Sequence, residues 1–480
     1  MKSIAGNAVF NMFYNALSVI FPLITVSYAS RILGASGIGA VASAQNIVTY
    51  FTMLAALGIP SYGVRVIAQN KANADRCNKA FTELFLINLL STILALAIYV
   101  VVIISIEKNL EYSELYWLFA VLIVMNIFNI EWLYQGFEEY RYIALRSFLV
   151  KSISTILLFI LVKYRDDILK YVFVVCLGTV GNYGINAFQL RKKVRFNFQN
   201  IDLKCHIKAI ITFFCSVIAI ELYSLLDVTM LTYFTDSKNV GYYSNAVKIV
   251  KTASNTLTAL GAVLLPRLSI LFLENNKEEI KKIIKNFFDV IILIAIPFFT
   301  GLIFVAPHVV SIMFGKEFTP SVAVMQILSM LIVLMPLSGG VFGQILLTSG
   351  LEKEYLFSVS GGAVVNAVLN YILIIRFYQN GAALATILSE LVVNIFMIIM
   401  SRKKIKMQYF SGDFFKVILS TMVMAVGLIG INMLTAGWPD GTVLLVKIGT
   451  ACMIYGICLI VFKHVLFNDI LKKIIKKRFG

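Results

Sequence analysis

Two lysines stand near the middle of an apolar segment, residues 241–266, that is long enough to cross a bilayer. A lysine at the centre of a membrane helix costs on the order of 2.5–3.5 kcal/mol on insertion scales. Lys248 and Lys251 therefore need a physical reason to be there. In a water-filled cavity their ammonium groups would attract an anionic substrate. In the alternative interpretation, Lys248 reaches a lipid headgroup and Lys251 pairs with a buried carboxylate.

Two predicted helices, this one and the first in the chain, carry polar residues at spacings of four, three, four and three residues. That spacing keeps the side chains within a sector of about 80° of the helix face. Stripes of this kind line a shared aqueous cavity, or they only hold helices together. The predicted polar lining of the cavity comprises Asn11, Asn15, Ser18, Thr25, Asn46, Thr49, Ser244, Asn255 and Gln344.

Four carboxylates fall inside apolar segments, where an ionisable group is a candidate for function. They are Glu131, Glu221, Asp227 and Glu390. Each is a candidate for binding a coupling ion, Na⁺ or H⁺, or for neutralising a lysine. Asp227 precedes Lys248 by one helix and is predicted either to pair with it or to serve in coupling. Glu131, beside Trp132 at the cytoplasmic end of its helix, also fits an interfacial position.

The composition is that of a membrane protein. Of the 480 residues, 59% are hydrophobic and only 14% are charged, and the mean hydropathy is +0.86. Apolar runs recur along the whole chain and predict an all-α polytopic membrane protein with about fourteen transmembrane helices. The six cysteines and three histidines form no metal-ligand or nucleophile pattern, so neither a metal nor a catalytic site is predicted.

The positive charges predict the orientation of the chain. The net charge is +17, and most of the 42 lysines and arginines fall in loops that share one side if both termini are cytoplasmic. This bias explains the basic composition without a nucleic-acid partner. The prediction is a multi-pass protein of the bacterial cytoplasmic (inner) membrane with both termini inside.

An internal repeat predicts the domain organisation. Residues 32–39 align with 234–241, and the same alignment places Asn46 and Thr49 opposite Lys248 and Lys251. The predicted units are a six-helix bundle over 1–200, a second over 201–405 in the same orientation, and a helix pair with a basic cytoplasmic tail over 406–480.

Several motifs resemble the polysaccharide-flippase branch of the multidrug/oligosaccharidyl-lipid/polysaccharide exporter superfamily. They begin with Arg31-Ile32-Leu33-Gly34, continue in the second half with Asp227-Val228-Thr229 and with Val240-Gly241-Tyr242-Tyr243, and end with Gly381-Ala382-Ala383-Leu384 before Glu390. The resemblance covers roughly residues 1–405. Many members of the superfamily have twelve helices, so the additional pair here is a departure.

The resemblance implies a pair of helix bundles that moves an undecaprenyl-diphosphate-linked oligosaccharide, a repeat unit of O-antigen, capsule or exopolysaccharide, to the outer leaflet. Lys248, Lys251 and Arg31 are the predicted ligands of its anionic headgroup. The other partners expected are membrane lipids and a polysaccharide polymerase. No cofactor is expected beyond a coupling ion, and the protein is not expected to be an enzyme.

The sequence fits three other functions less well than it fits flipping. A drug/cation antiporter of the same superfamily would use an acidic cavity, whereas the stripe with Lys248 is basic and the first helix has no carboxylate. A membrane glycosyltransferase or polymerase would need catalytic residues on a sizeable outer loop, and the outer loops are short. A non-transporting scaffold would not need two lysines in mid-membrane.

Overall fold

The computed structural model describes residues 4–106, 112–405, 412–469 and 472, with side chains throughout except at 4–9, 11, 216, 217, 219, 220, 222–224, 262 and 263. Every regular element in these ranges is a helix, as the apolar periodicity predicts. The helices form two compact units, Met1–Gly241 and Tyr242–Gly480.

The first unit is built from eight α-helices and the first turn of a ninth among its described residues. They are α1 Ile4–Ala56, α2 Ile59–Asn70, α3 Ala74–Ile106, α4 Ser113–Met125, α5 Glu131–Gly136, α6 Tyr140–Leu161, α7 Ile168–Gln189 and α8 Lys204–Phe234. Its aromatic core lies where α2, α3 and α5 meet. There the Phe81 ring stacks on Trp132, and Tyr134 is completely buried.

The second unit begins within α9, Ser237–Ala259, and continues through shorter and longer helices. They are α10 Leu264–Leu273, α11 Lys277–Phe314, α12 Ser321–Leu328, α13 Leu331–Met335, α14 Gly343–Thr348, α15 Glu352–Ser401, α16 Gly412–Leu434 and α17 Asp440–Val461. A π-helical turn, Pro336–Phe342, separates α13 from α14 at the point where Pro336 and two glycines predict a break. The predicted basic tail lies largely outside the described residues.

Two helices are too long to cross a bilayer once. At 1.5 Å per residue, the 53 residues of α1 would extend about 80 Å, against a hydrocarbon core of about 30 Å. The backbone of α1 breaks at Gly34, where φ is 69°, and that of α15 breaks at Tyr378, where φ is 50°. Both breaks fall between spans that hydropathy separates. Gly34 adopts this positive φ without strain, because glycine has no side chain.

Ten helices of the described residues are long and apolar enough to span a membrane, or eleven if α9 and α10 form one bent span. Continuous helices such as α1 and α15 count once in this number although each contains a break. The all-α membrane fold is therefore confirmed. The count of fourteen, the domain limits and the symmetry of two bundles stay predictions.

Candidate functional site

Lys248 and Lys251 lie on the polar side of α9. The opposite side is buried and carries a run of side chains at helical spacing, namely Val240, Tyr243, Ala246, Val250, Ser254 and Leu257. Lys248 and Asn255 are exposed, whereas Ser244, Lys251 and Thr258 are half-buried. Ser244 Oγ is enclosed and Thr258 packs toward the π-helical turn, so Lys248 and Asn255 are the two residues of the predicted stripe that are exposed.

Within the second unit, α9 is fixed by its buried side. The hydroxyl of Tyr243 shares a hydrogen bond of 3.1 Å with Thr386 Oγ1 on α15, and Ser321 Oγ donates to the carbonyl oxygen of Tyr242 at 2.9 Å. Just beyond the C-terminal end of α9, a Cβ atom at Gly261 would stand 2.5 Å from the Cα atom of Gly340, in the π-helical turn. Rigid packing on one side positions the lysines on the other.

The predicted stripe of the first helix is mostly open. Asn15 and Ser18 are exposed and Thr25 is half-buried, while the side chain of Asn11 lies outside the described part of the chain. Ser18 accepts a hydrogen bond of 3.2 Å from Lys151 Nζ. Thr25 Oγ1 donates to the carbonyl oxygen of Pro22, as a hydroxyl within a helix commonly does. Arg31, the third predicted headgroup ligand, is exposed shortly before the break in α1.

Asn46 is engaged in helix packing. It is 7% exposed, and its Nδ2 donates to Thr229 Oγ1 at 2.7 Å and to the carbonyl oxygen of Leu225 at 3.2 Å, both on α8. Thr49 is half-buried and donates to the carbonyl oxygen of Gln45. Both donors of the Asn46 amide are thus used within the protein, so only its oxygen is left for a glycan.

The four intramembrane carboxylates differ in their surroundings. Asp227 is fully buried on α8, whereas Glu221 is exposed. Glu390 is buried on α15 and accepts a hydrogen bond from Ser338 Oγ in the π-helical turn. Gln344 is half-buried on α14, and its Nε2 donates to the carbonyl oxygen of Gly339, also in that turn. The pairing of Asp227 with Lys248 stays a prediction.

Glu131 pairs with an arginine that the sequence assigns to a cytoplasmic loop. Arg146 is 3% exposed on α6, and its guanidinium bonds Glu131 Oε2 and the side-chain oxygens of Asn182 and Asn186 on α7. The hydroxyl of Tyr14 donates to Glu131 Oε1 at 3.0 Å. The spacing of Asn182 and Asn186, four residues apart in an apolar helix, is the signal that could have revealed this network.

A second buried cluster, also absent from the predictions, joins α17 to α11. Lys447 is 2% exposed, and its Nζ lies 2.9 Å from His308 Nε2 and donates to Asn432 Oδ1 at 2.8 Å. His308 Nδ1 lies 2.8 Å from Asp440 Oδ1. Because a lysine ammonium only donates, His308 Nε2 accepts and its proton lies on Nδ1, facing Asp440. This cluster ties the last two helices to the second unit.

One group of side chains has the composition of a metal site, namely Glu83, Cys205 and His206. The imidazole is already bonded on both sides. Its Nε2 lies 3.0 Å from Glu83 Oε2, and its Nδ1 lies 2.9 Å from the hydroxyl of Tyr62. The group therefore works as a structural link from α8 to α2 and α3.

Comparison with known proteins decides the family. Residues 4–272, more than half of the chain, match the polysaccharide biosynthesis protein family. The chain belongs to this family. The resemblance inferred from the motifs around Arg31 and Gly241 is thus confirmed.

A protein of Shigella dysenteriae assigned as an O-antigen transporter is 26% identical over 388 residues, which are 79% of this chain and 95% of that protein. Among solved structures, lipid II flippase MurJ in an inward closed conformation superposes with a TM-score of 0.73 at 13% identity, covering 98% of this chain and all of that one. An inward-facing multidrug resistance transporter of the MATE family gives 0.66 at 13% identity over 80% of this chain and 95% of that chain. At such low identity, these structures show a shared fold.

Proposed function

We propose that this protein is a flippase that moves a lipid-linked oligosaccharide across the cytoplasmic membrane. Support comes from its family, from a relative named as an O-antigen transporter that is matched over 95% of its length, and from a fold shared with a lipid II flippase. The observation that carries the proposal is the pair Lys248 and Lys251 on the polar side of α9, a helix that together with α10 is long and apolar enough to span a membrane.

The proposed role of the lysines is binding. A diphosphate that leaves bulk water needs compensating positive charge, since an isolated ion in a medium of low dielectric constant is strongly destabilised. Two ammonium groups one helical turn apart would each hold one phosphate as a point charge. Arg31 is the third proposed ligand, and Asn15, Asn255 and Gln344 are proposed to bond glycan hydroxyls. The lipid chain would stay in the bilayer, and no covalent bond needs to form.

Transport is proposed to follow alternating access, as the family resemblance implies. The coupling ion is proposed to be Na⁺ or H⁺. Asp227 and Glu390 are the buried candidates to bind it, while Glu131 is paired with Arg146 and Glu221 is exposed. Both termini are proposed to be cytoplasmic, and a polysaccharide polymerase is the proposed downstream partner.

A drug/cation antiporter shares this fold, so the fold does not choose between the two functions. The charge of the proposed site distinguishes the two functions. A cationic drug would be repelled by Lys248 and Lys251, whereas a diphosphate would be attracted to both. The carboxylate of Glu131, which accepts a hydrogen bond from Tyr14 on the first helix, is already paired with Arg146.

Surface display of glycan tests the proposal in cells. In a strain whose own polysaccharide flippase is deleted, this protein supplied with its matching glycan pathway should restore display. The double variant Lys248→Ala/Lys251→Ala should not restore it at equal membrane abundance. Lys238→Ala is the matched control, because Lys238 is exposed on the same helix but outside the apolar part. Full display by the double variant would contradict the proposal.

A further inference from the structure

One cluster of side chains in the first unit has the chemistry of a carbohydrate site. It surrounds a cavity of about 320 Å³ between the first turns of α1 and the helices α5, α6 and α7. That volume is at the lower end of the range for small-ligand pockets, about 300–1,000 Å³. The cavity therefore suits a single sugar ring better than a whole oligosaccharide.

The walls combine aromatic rings with amides. Tyr14, Trp132 and Tyr183 provide the aromatic part, and Asn129, Gln135 and Asn182 provide the amides. A pyranose ring presents C–H groups on its faces and hydroxyls around its edge. Aromatic surface covers such faces, and amides both donate to and accept from such hydroxyls. A purely phosphate-binding cavity would not need the rings.

Two polar groups at the cavity wall differ in whether a ligand could bond them. Trp132 is 2% exposed, and its buried indole Nε1 donates to no acceptor among the described residues. This donor is enclosed by protein, so it is a packing cost in the cavity wall and is out of reach of a ligand. Glu131 accepts from Tyr14 and Gln135 at Oε1 and from Arg146 at Oε2, whereas a carboxylate offers about four acceptor positions.

The charges of the cavity favour neutral or acidic sugars. Arg146 neutralises Glu131, so Lys151 supplies the remaining positive charge. Its Nζ donates to Ser18 Oγ and lies 5.8 Å from the centre of the Tyr14 ring. Ser18 belongs to the predicted polar stripe of the first helix, so the cavity joins that stripe.

We propose that this cavity binds one sugar residue of the transported glycan, through the Glu131 carboxylate, the Tyr14 and Tyr183 rings and the surrounding amides. The inference rests on the proposed function for the identity of the cargo. It assigns sugar recognition to the first unit and headgroup binding to α9. The experiment below uses sugars without lipid or phosphate, so its result is independent of whether the protein flips lipids.

Trp132 itself reports on binding. The chain has three tryptophans, and replacing Trp117 and Trp438, both exposed, with phenylalanine leaves Trp132 as the only indole. The full-length protein in nanodiscs is titrated with galactose, N-acetylglucosamine, glucuronic acid and inorganic pyrophosphate. At least one sugar should change the Trp132 fluorescence saturably at millimolar concentration, and pyrophosphate should not.

Two variants locate the response. Thr179→Phe places a ring in the cavity that Thr179 lines and should abolish the change. Gln135→Leu keeps the side-chain size without the amide and should weaken binding by on the order of tenfold. Leu169→Phe, at an exposed position on α7, is the control and should bind as the parent does. Size-exclusion profiles verify that each variant is folded.

The proposal is overturned if none of the three sugars gives a saturable change, if only pyrophosphate does, or if Thr179→Phe binds as the parent does. Sugar binding by a protein that fails to flip lipid would remove the proposed function and keep this site. Flipping of lipid by a protein that binds no sugar would remove this site and keep the proposed function.

Discussion

Gly39 and Gly241 pack against each other's helices reciprocally. A Cβ atom at Gly39 would stand 1.6 Å from the carbonyl oxygen of Ser237, and one at Gly241 would stand 2.1 Å from that of Ala35. The sequence repeat aligns Gly39 with Gly241 and Ala35 with Ser237. The repeat itself stays a prediction.

Filling this crossing should destabilise the first unit. Gly39→Ala puts a methyl group inside the van der Waals radius of a backbone oxygen, so the helices must separate. We expect a loss of about 1–3 kcal/mol, as for other overpacked sites, and a lower midpoint of thermal unfolding in detergent. Gly184→Ala is the control, since a Cβ atom there meets nothing within 4 Å. Equal midpoints for the two variants would refute the close crossing.

The pair formed by Arg146 and Glu131 should respond asymmetrically to substitution. Arg146→Met leaves the Glu131 carboxylate without its cation, and breaking such a pair costs on the order of 3–5 kcal/mol. Glu131→Gln combined with Arg146→Met removes both charges and should recover much of the loss. The thermal midpoints of the two single variants and the double variant form a double-mutant cycle. Strict additivity would show that the two side chains do not interact.

Lys447 should stabilise the attachment of the last two helices. Lys447→Met leaves His308 Nε2 without this donor, and an unmet buried group costs about 1–3 kcal/mol. We expect faster proteolysis in the loop between α16 and α17, with α1–α8 unaffected. Lys353→Met, at an exposed position on α15, should leave the cleavage rate unchanged. Unaltered proteolysis of Lys447→Met would contradict a stabilising role.

The stability of the folded protein should depend on pH through the carboxylate of Asp167, in the loop before α7. Its Oδ1 lies 2.6 Å from Lys170 Nζ and its Oδ2 accepts from the backbone of Lys163 and Tyr164, which together lower the pKa of Asp167 to about 2. A lowered pKa stabilises the folded state fully above the unfolded value of about 4, and that contribution is lost as the pH falls to about 2.

The difference in unfolding midpoint between the parent and Asp167→Asn should therefore be constant above about pH 5 and shrink between about pH 4 and pH 2. Thermal scans in detergent across this range measure it. Asp166→Asn, one residue earlier, is the matched control. A difference that stays constant down to pH 2 would show that Asp167 titrates normally.

The sequence predicts the helices and their breaks because hydropathy reports burial in lipid directly. Gly34 and Tyr378 fall in short gaps between apolar runs, and the backbone breaks at both. At Tyr378 the surrounding charge and polarity, rather than a glycine, mark the turn. The polar side of α9 is equally accessible to prediction, since it depends only on spacing.

The sequence does not predict the buried polar clusters, because a charged residue near the end of a predicted helix cannot be distinguished from one in the adjoining loop. Arg146 follows a run of polar residues and was assigned to the cytoplasmic side, yet its partners lie on another helix. Asn46 was predicted to line a cavity, while its amide bonds α8. Such pairings depend on contacts between helices, which spacing along one helix does not determine.

The most direct test of the account is reconstituted flipping. The purified protein is placed in liposomes with a fluorescent undecaprenyl-diphosphate oligosaccharide, and its exchange between leaflets is followed by quenching from outside. We predict exchange with the parent and with Lys238→Ala, and loss of exchange with Lys248→Ala/Lys251→Ala. Unchanged exchange by the double variant would contradict the claim that these two lysines bind the diphosphate.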